Sequence, residues 1–220
     1  MLVSPSSACD RWWPLKPRDG AGVVTEPLAG PRRQEGASKN GFPSHVIGME
    51  AGSPEVLKMT NVVLKLSARD LVHADLASCG WAGSDHHLAG VAEQLERARA
   101  GEVDYLAVCP ATDIPVAKGG VDYQVKDGVG TLWQLAVHPA LQSCGIGTFL
   151  VEAAELRIRN RGLRQAELAV EENNPRARAL YERLGYVAYD RRPESWDEQA
   201  PDGSLRRYET ICTLMRKELA

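Results

Sequence analysis

Between Leu132 and Tyr186 the chain alternates apolar runs with glycine-marked turns in an order that few folds can accommodate. The run Leu132-Trp-Gln-Leu-Ala-Val137 ends at His138-Pro139. Proline stops a helix and disfavours further ladder pairing, so the run reads as a strand reaching a loop. Gly145 and Gly147 then precede apolar residues at Ile146, Phe149, Leu150, Ala153 and Ala154, which is helical spacing. The glycines therefore open a helix. Several N–H groups of its first turn have no partner inside the helix, and the helix dipole puts partial positive charge there, so a pyrophosphate can accept their hydrogen bonds. The competing reading is that the two glycines only shape a tight strand-to-helix turn.

A second motif follows, Asn174-Pro-Arg-Ala177-Arg-Ala-Leu180-Tyr181-Glu-Arg-Leu-Gly185-Tyr186. Together with Gln142-x-x-Gly145-Ile146-Gly147, and separated from it by a helix and a strand, it resembles the paired motifs of the GNAT superfamily of N-acetyltransferases. The resemblance covers roughly Asn61 to Leu219 and leaves out residues 1–48. It implies a mixed α+β fold, with a central, mostly antiparallel sheet of six to seven strands and helices on both faces. In that family the strands flanking the coenzyme helix splay apart, and the pantetheine arm of acetyl-CoA lies in the gap.

Carried onto this chain, the resemblance places the cosubstrate against the strand edge Leu135, Ala136 and Val137 and in the loop Gln142, Ser143, Cys144, Gly145, Ile146, Gly147 and Thr148. Asn174 would hold the pantetheine arm, although it also suits a helix cap ahead of Pro175. The implied reaction is direct attack of a neutral amine on the acetyl thioester. A backbone N–H near Val137 would meet the developing oxyanion. Tyr181 would protonate the leaving thiolate, since a phenol with a pKa of about 10 stays protonated at neutral pH. The plainer reading of Tyr181 is a core residue, because Ala177, Leu180, Tyr181 and Leu184 form one helical stripe.

The base is where the sequence departs from the family's clearer members. Val129 to Val137 contains no carboxylate, only Thr131 and Gln134 as polar side chains. Glu167 and Glu171, on one face of the following strand, His138, or a water chain are the alternatives. The missing carboxylate also motivates a rival reading, a non-catalytic acyl-CoA sensor of the same fold. A nucleotide site is disfavoured, because no Lys-Ser/Thr follows the glycines and no G-x-G-x-x-G is present. Cys144 invites a covalent-acyl reading, yet its position is variable in the motif. His86-His87 lacks further ligands nearby in sequence, so no metal is expected. Trp81 and this His pair are weak acceptor contacts. Trp196, in the long segment Glu194 to Gly203 read as a loop, either walls the acceptor site or packs over the sheet edge.

Length and composition set the remaining bounds. The 220 residues are 44% hydrophobic and 25% charged, with a net charge of -3, so no broad basic face for nucleic acid is expected. No apolar run approaches the ~20 residues that span a bilayer, so no membrane partner is expected either. The five cysteines, Cys9, Cys79, Cys109, Cys144 and Cys212, form no C-x-x-C pair, which fits a reducing cytoplasm. Expected partners are an amine-bearing small molecule or peptide, and a homodimer is left open. Residues 1–48 hold six of the thirteen prolines and no periodicity, so a disordered extension carrying Trp12-Trp13 is expected. The catalytic domain is placed at 61–219. Its elements are a strand at Val62–Leu66, helices from Ser67 to about Gly80 and over Asp85–Ala100, and strands at Val103–Cys109 and Val116–Val125. Between the paired motifs comes a strand at Gln165–Val170, and after them come strands at Tyr186–Asp190 and Leu205–Leu214.

Overall fold

The computed structural model describes residues 64–200 and 202–220. The expected N-terminal arm and the start of the expected Val62–Leu66 strand lie outside the described residues, and residues 64–66 are not strand, which begins at Ser67. Seven strands, β1 (Ser67–Asp70), β2 (Val103–Cys109), β3 (Ala117–Asp122), β4 (Val129–Val137), β5 (Gln165–Glu171), β6 (Val187–Gln199) and β7 (Leu205–Glu218), form one sheet in the order β1-β2-β3-β4-β5-β7-β6. Only β4 and β5 run parallel. The helices are α1 (Asp85–Arg99), α2 (Ile146–Asn160) and α3 (Pro175–Arg183).

Side chains alternate along a strand, so each strand feeds two faces. Leu106, Val108 and Leu132 go to one face, where Leu150, Val151, Ala154 and Ile158 of α2 cover them. Tyr105, Ala107, Cys109 and Trp133 go to the other, against Val91 and Leu95 of α1. Leu150 and Ile158 are almost fully buried, and each such side chain contributes about 1.5–3 kcal/mol relative to exposure. Helix α1 starts where the Ser84 hydroxyl accepts the His87 N–H at 3.3 Å. Its first residue, Asp85, suits the positive end of the dipole.

Two expectations are corrected. Ser67 does not cap a helix: Ser67–Asp70 is β1, paired with Cys109 to Leu106 of β2. The helix expected through Leu71, Ala74 and Ala77 is only a 3₁₀ stretch at His73–Ser78, where Val72 N–H and Arg69 both hold Asp75. Likewise Glu194–Gly203 is not a loop. Through Gln199 it is strand, in register from Glu194↔Thr210 to Gln199↔Leu205, and the reversal is confined to a short turn where Asp202 accepts the Ser204 N–H. β6 is the sheet edge, which tolerates Pro193 and a run of charges that in isolation resembles a loop.

One irregularity, in the pairing of β3 with β4, shapes the sheet. Lys118 faces Ala136 and Gly120 faces Trp133, so β4 carries an extra residue opposite Gly119, and Gln134 there takes a φ of 51°. Such a bulge bends its strand and increases its twist. A Cβ on Gly119 would sit 2.4 Å from Leu135, and one on Gly120 would sit 2.7 Å from the Trp133 ring. The Gly119-Gly120 pair is what lets the bulged strand cross β3 so closely.

Candidate active site

Beyond the bulge, β4 leaves β5. The parallel pairing runs from Val129↔Gln165 to Leu132↔Leu168 and stops there, although β4 continues to Val137 and β5 to Glu171. Ala136 and Val137 keep their β3 side paired, Leu135 lies in the bulge, and the three turn an open backbone edge toward the gap. A cleft occupies the split. Leu132, Leu168 and Tyr181 line it from the α2 and α3 face, and Trp133, Ala169, Cys212, Glu194 and Trp196 from the α1 face. The cleft thus opens the sheet from one face to the other.

The glycine loop closes one end of this edge. Ser143 and Gly145 take left-handed φ values of 65° and 82°, which turn the chain sharply into α2. The ladder of α2 begins with Phe149 N–H donating to Gly145 C=O at 3.1 Å, so the N–H groups of Ile146, Gly147 and Thr148 precede it. Gln142 folds back, its amide donating to Val137 C=O at 3.4 Å, and Cys144 is exposed. The sequence reading missed Arg176. From the first turn of α3 it donates to the Gln142 side chain at 3.1 Å and to the Ser143 hydroxyl, setting a guanidinium against the loop.

A Cβ on Gly147 would lie 3.2 Å from Leu180 and 3.8 Å from Val137, so Gly147 is the point where α2 touches both α3 and β4. A valine there would push α3, and with it Tyr181, off the strand edge. Gly147→Val is expected to destabilise the fold by about 1–3 kcal/mol and to weaken acetyl-CoA binding at least about tenfold. Calorimetric titration of the folded variant checks this, and unchanged affinity would dissociate the loop from coenzyme binding.

Tyr181 is buried, in edge contact with Tyr186 at 6.0 Å, and burial pushes its phenol up to about 12. It stays protonated throughout the neutral range. Asn174 caps α3, accepting the Ala177 N–H at 3.1 Å.

The expected base candidates are engaged away from the cleft. Glu167 pairs with Lys126 at 2.6 Å and accepts the Tyr189 hydroxyl at 2.9 Å, in a separate polar cavity. Glu171 accepts the Tyr208 hydroxyl at 2.8 Å. His138 accepts the Ala140 N–H at 3.3 Å and packs its ring against Trp81 at 5.5 Å. None of the three lines the cleft. Trp196 does line it, packed on Tyr208 with ring centroids 4.9 Å apart.

His87 has a structural partner that sequence did not suggest. Its Nε2 lies 3.1 Å from Nζ of Lys118, a fully buried lysine one strand from the Ala136 edge. Lys118 also donates to the Tyr105 hydroxyl at 3.0 Å, and Tyr105 donates to the Gln134 side chain at 2.7 Å. Burial lowers Lys118 to about 7, and burial together with the nearby lysine lowers His87 to about 3. The network is a buried polar strut beneath the bulge. Among the described residues no group of three or more His, Cys, Asp or Glu side chains could hold a metal, and no helix is long and apolar enough to cross a membrane.

A split parallel pair, a glycine loop opening the helix between its strands, and a tyrosine helix over the gap define a class. The sequence profile of the Acetyltransferase (GNAT) family matches residues 74–186, and the chain belongs to that family. Among curated relatives, a mycothiol acetyltransferase of Geodermatophilus obscurus is 38% identical over 63 residues, 29% of this chain and 20% of the relative. One from Beutenbergia cavernae is 44% identical over 58 residues, 26% of this chain and 20% of the relative. The matched segment thus spans about a fifth of these relatives' length. Among solved structures, the ribosomal-protein-S18-alanine N-acetyltransferase of Escherichia coli superposes with a TM-score of 0.53 at 19% identity, over 71% of this chain and 95% of the other. The PaiA N-acetyltransferase of Thermoplasma acidophilum, solved with coenzyme A, gives 0.51 at 14% identity, over 70% and 99%. These superpositions support the fold.

Proposed function

We propose that the chain is an N-acetyltransferase that moves the acetyl group of acetyl-CoA to a primary amine of a small molecule or peptide, by direct attack with both substrates bound. The observation that carries the reading is the split between β4 and β5, with a backbone edge, a helix N-terminus and a buried tyrosine converging on it. The residues present fit the cosubstrate. The open edge at Leu135–Val137 can pair with the amide-bearing pantetheine arm as an added strand would. The first-turn N–H groups of α2 and the guanidinium of Arg176 suit the pyrophosphate.

Bound acetyl-CoA supplies an activated acyl carbon on a thiol leaving group. The protein's part is to orient and to move protons. A backbone N–H at the end of β4 is fixed by the sheet and can stabilise charge on the acyl oxygen without reorganising. Tyr181, held protonated, donates to the departing sulfur. The four cysteines among the described residues, Cys79, Cys109, Cys144 and Cys212, are free, which suits a reducing compartment, and we place the enzyme in the cytoplasm.

The test is thiol release from acetyl-CoA, with mass detection of the product, over a panel of amines: a peptide beginning with alanine, a polyamine and a cysteinyl amine. Acetylation of one class defines the acceptor. Saturable acetyl-CoA binding with no acetylation of any amine would instead support the sensor reading.

A further inference from the structure

The acceptor enters as an ammonium, and its proton needs a destination that Glu167, Glu171 and His138 do not offer from their places. One carboxylate lines the cleft. Glu194 lies in β6 opposite Thr210 of β7 and is 3% exposed. Its Oε1 accepts from Nε of Arg192, while Oε2 is buried with no hydrogen-bond partner. A buried carboxylate oxygen without a donor is an unfavourable arrangement, relieved when a ligand N–H reaches it. Its surroundings are firm. Trp196, two residues on, packs on Tyr208, and Tyr208 is tied to Glu171.

Glu194 shares the α1 face of the sheet with Cys212 and Ala169, because cross-strand partners point the same way. Tyr181 stands on the opposite face of the same opening. The cleft therefore holds a proton donor on one side of the split and a proton acceptor on the other.

We propose that Glu194 is the general base of this enzyme, receiving the acceptor's ammonium on Oε2 and removing its proton; the proposal rests on the acetyltransferase reading. The proton passes from the ammonium to Oε2, and the freed lone pair attacks the thioester carbon. A C–N bond forms and the C–S bond breaks. The thiolate takes the proton of Tyr181, which regains one from the newly acylated nitrogen, and Glu194 releases its proton to solvent. The sum is ammonium plus acetyl-CoA giving amide, free coenzyme A and one proton. A carboxylate between the walls of Trp133 and Trp196 also selects a cationic amine over a neutral or anionic acceptor.

The titratable and charged groups around Glu194 are Arg192 on its own strand, Cys212 from β7, Glu171 of β5 opposite Cys212 and held by the Tyr208 hydroxyl, and Tyr181 from α3 across the opening. Burial, with Glu194 and Glu171 nearby, pushes the Cys212 thiol up to about 12, and burial alone pushes Tyr181 to about 12. Neither changes charge near neutral pH. The variant Glu194→Gln therefore tells whether a loss of rate on the acid side comes from Glu194 or from its neighbour Glu171.

The experiment measures kcat/KM against pH for wild type, Glu194→Gln, Glu194→Asp and Arg192→Gln, with the panel amine that wild type acetylates fastest, alongside calorimetric acetyl-CoA affinity. Glu194→Gln is expected to bind acetyl-CoA normally, to transfer at least about a hundredfold more slowly and to lose the acid limb. Glu194→Asp is expected to keep the limb at reduced rate, and carries the comparison should the glutamine variant not fold. Arg192→Gln is expected to keep the limb. A Glu194→Gln rate within about threefold of wild type, a retained acid limb, or an Arg192→Gln profile identical to that of Glu194→Gln would overturn the assignment. A wild type that acetylates no amine overturns the enzyme reading itself, and the base with it.

Discussion

Tyr181→Phe is expected to slow acetyl transfer about 10²–10³-fold while leaving acetyl-CoA affinity within about twofold of wild type, the signature of a group that acts on the transition state alone. The substitution removes one oxygen and keeps the ring, so the packing against Tyr186 and the Leu168 side of the core persists. The phenol is held near 12 by burial and stays protonated across the whole assay range. The remaining activity of the phenylalanine variant should therefore keep the wild-type acid limb. Steady-state kinetics with parallel calorimetry measures both terms. An unchanged kcat would remove Tyr181 from the mechanism and return it to the core stripe that Ala177 and Leu180 continue.

Lys118→Met is expected to stabilise the protein at pH 6 by about 2–3 kcal/mol. Lys118 is fully buried, and its contacts are the neutral Tyr105 hydroxyl and His87 ring, not a carboxylate. Its folded-state pKa falls from 10.5 to about 7 through desolvation. Between those values the unfolded chain binds a proton that the folded chain does not, so stability rises with pH across that window. Below about 7 both states are protonated and the folded state carries the whole burden, on the order of 5 kcal/mol. Methionine removes that burden but leaves His87 short of a contact, which offsets part of the gain. Urea unfolding at pH 6 and at pH 9.5 should show a gain that shrinks at the higher pH. A variant less stable than wild type at pH 6 would mean that the lysine is held as a favourably paired cation.

The parts of this architecture carried by local pattern could be read from the chain. The helix at Asp85, the β2 strand, the glycine loop and the tyrosine helix each rest on spacing within a few residues, and all stand where that spacing puts them. What long-range pairing decides was misread. Ser67 followed by Asp70 imitates a helix start, but pairing with Leu106 to Cys109 makes it a strand. Asp197-Glu198-Gln199 has turn-like composition, and only its partners in β7 make it an edge strand.

That second misreading also hid the base, since Glu194 was placed in a loop and its burial beside the cleft arises from a hairpin register no local pattern reveals. The bulge left a better signal. Two adjacent glycines inside an apolar strand mark a close backbone approach, and Gly119-Gly120 sits opposite the residue where β4 departs from β5.

The most direct test of the account is a thermal-shift titration with acetyl-CoA, because the cleft, the loop and Tyr181 all take their meaning from that one ligand. A saturable rise in Tm is predicted, corresponding to about 2.7 kcal/mol at a hundred times the dissociation constant, with desulfo or nucleotide fragments giving less. A folded protein whose Tm does not move at millimolar acetyl-CoA would contradict the assignment of the split sheet as a coenzyme site.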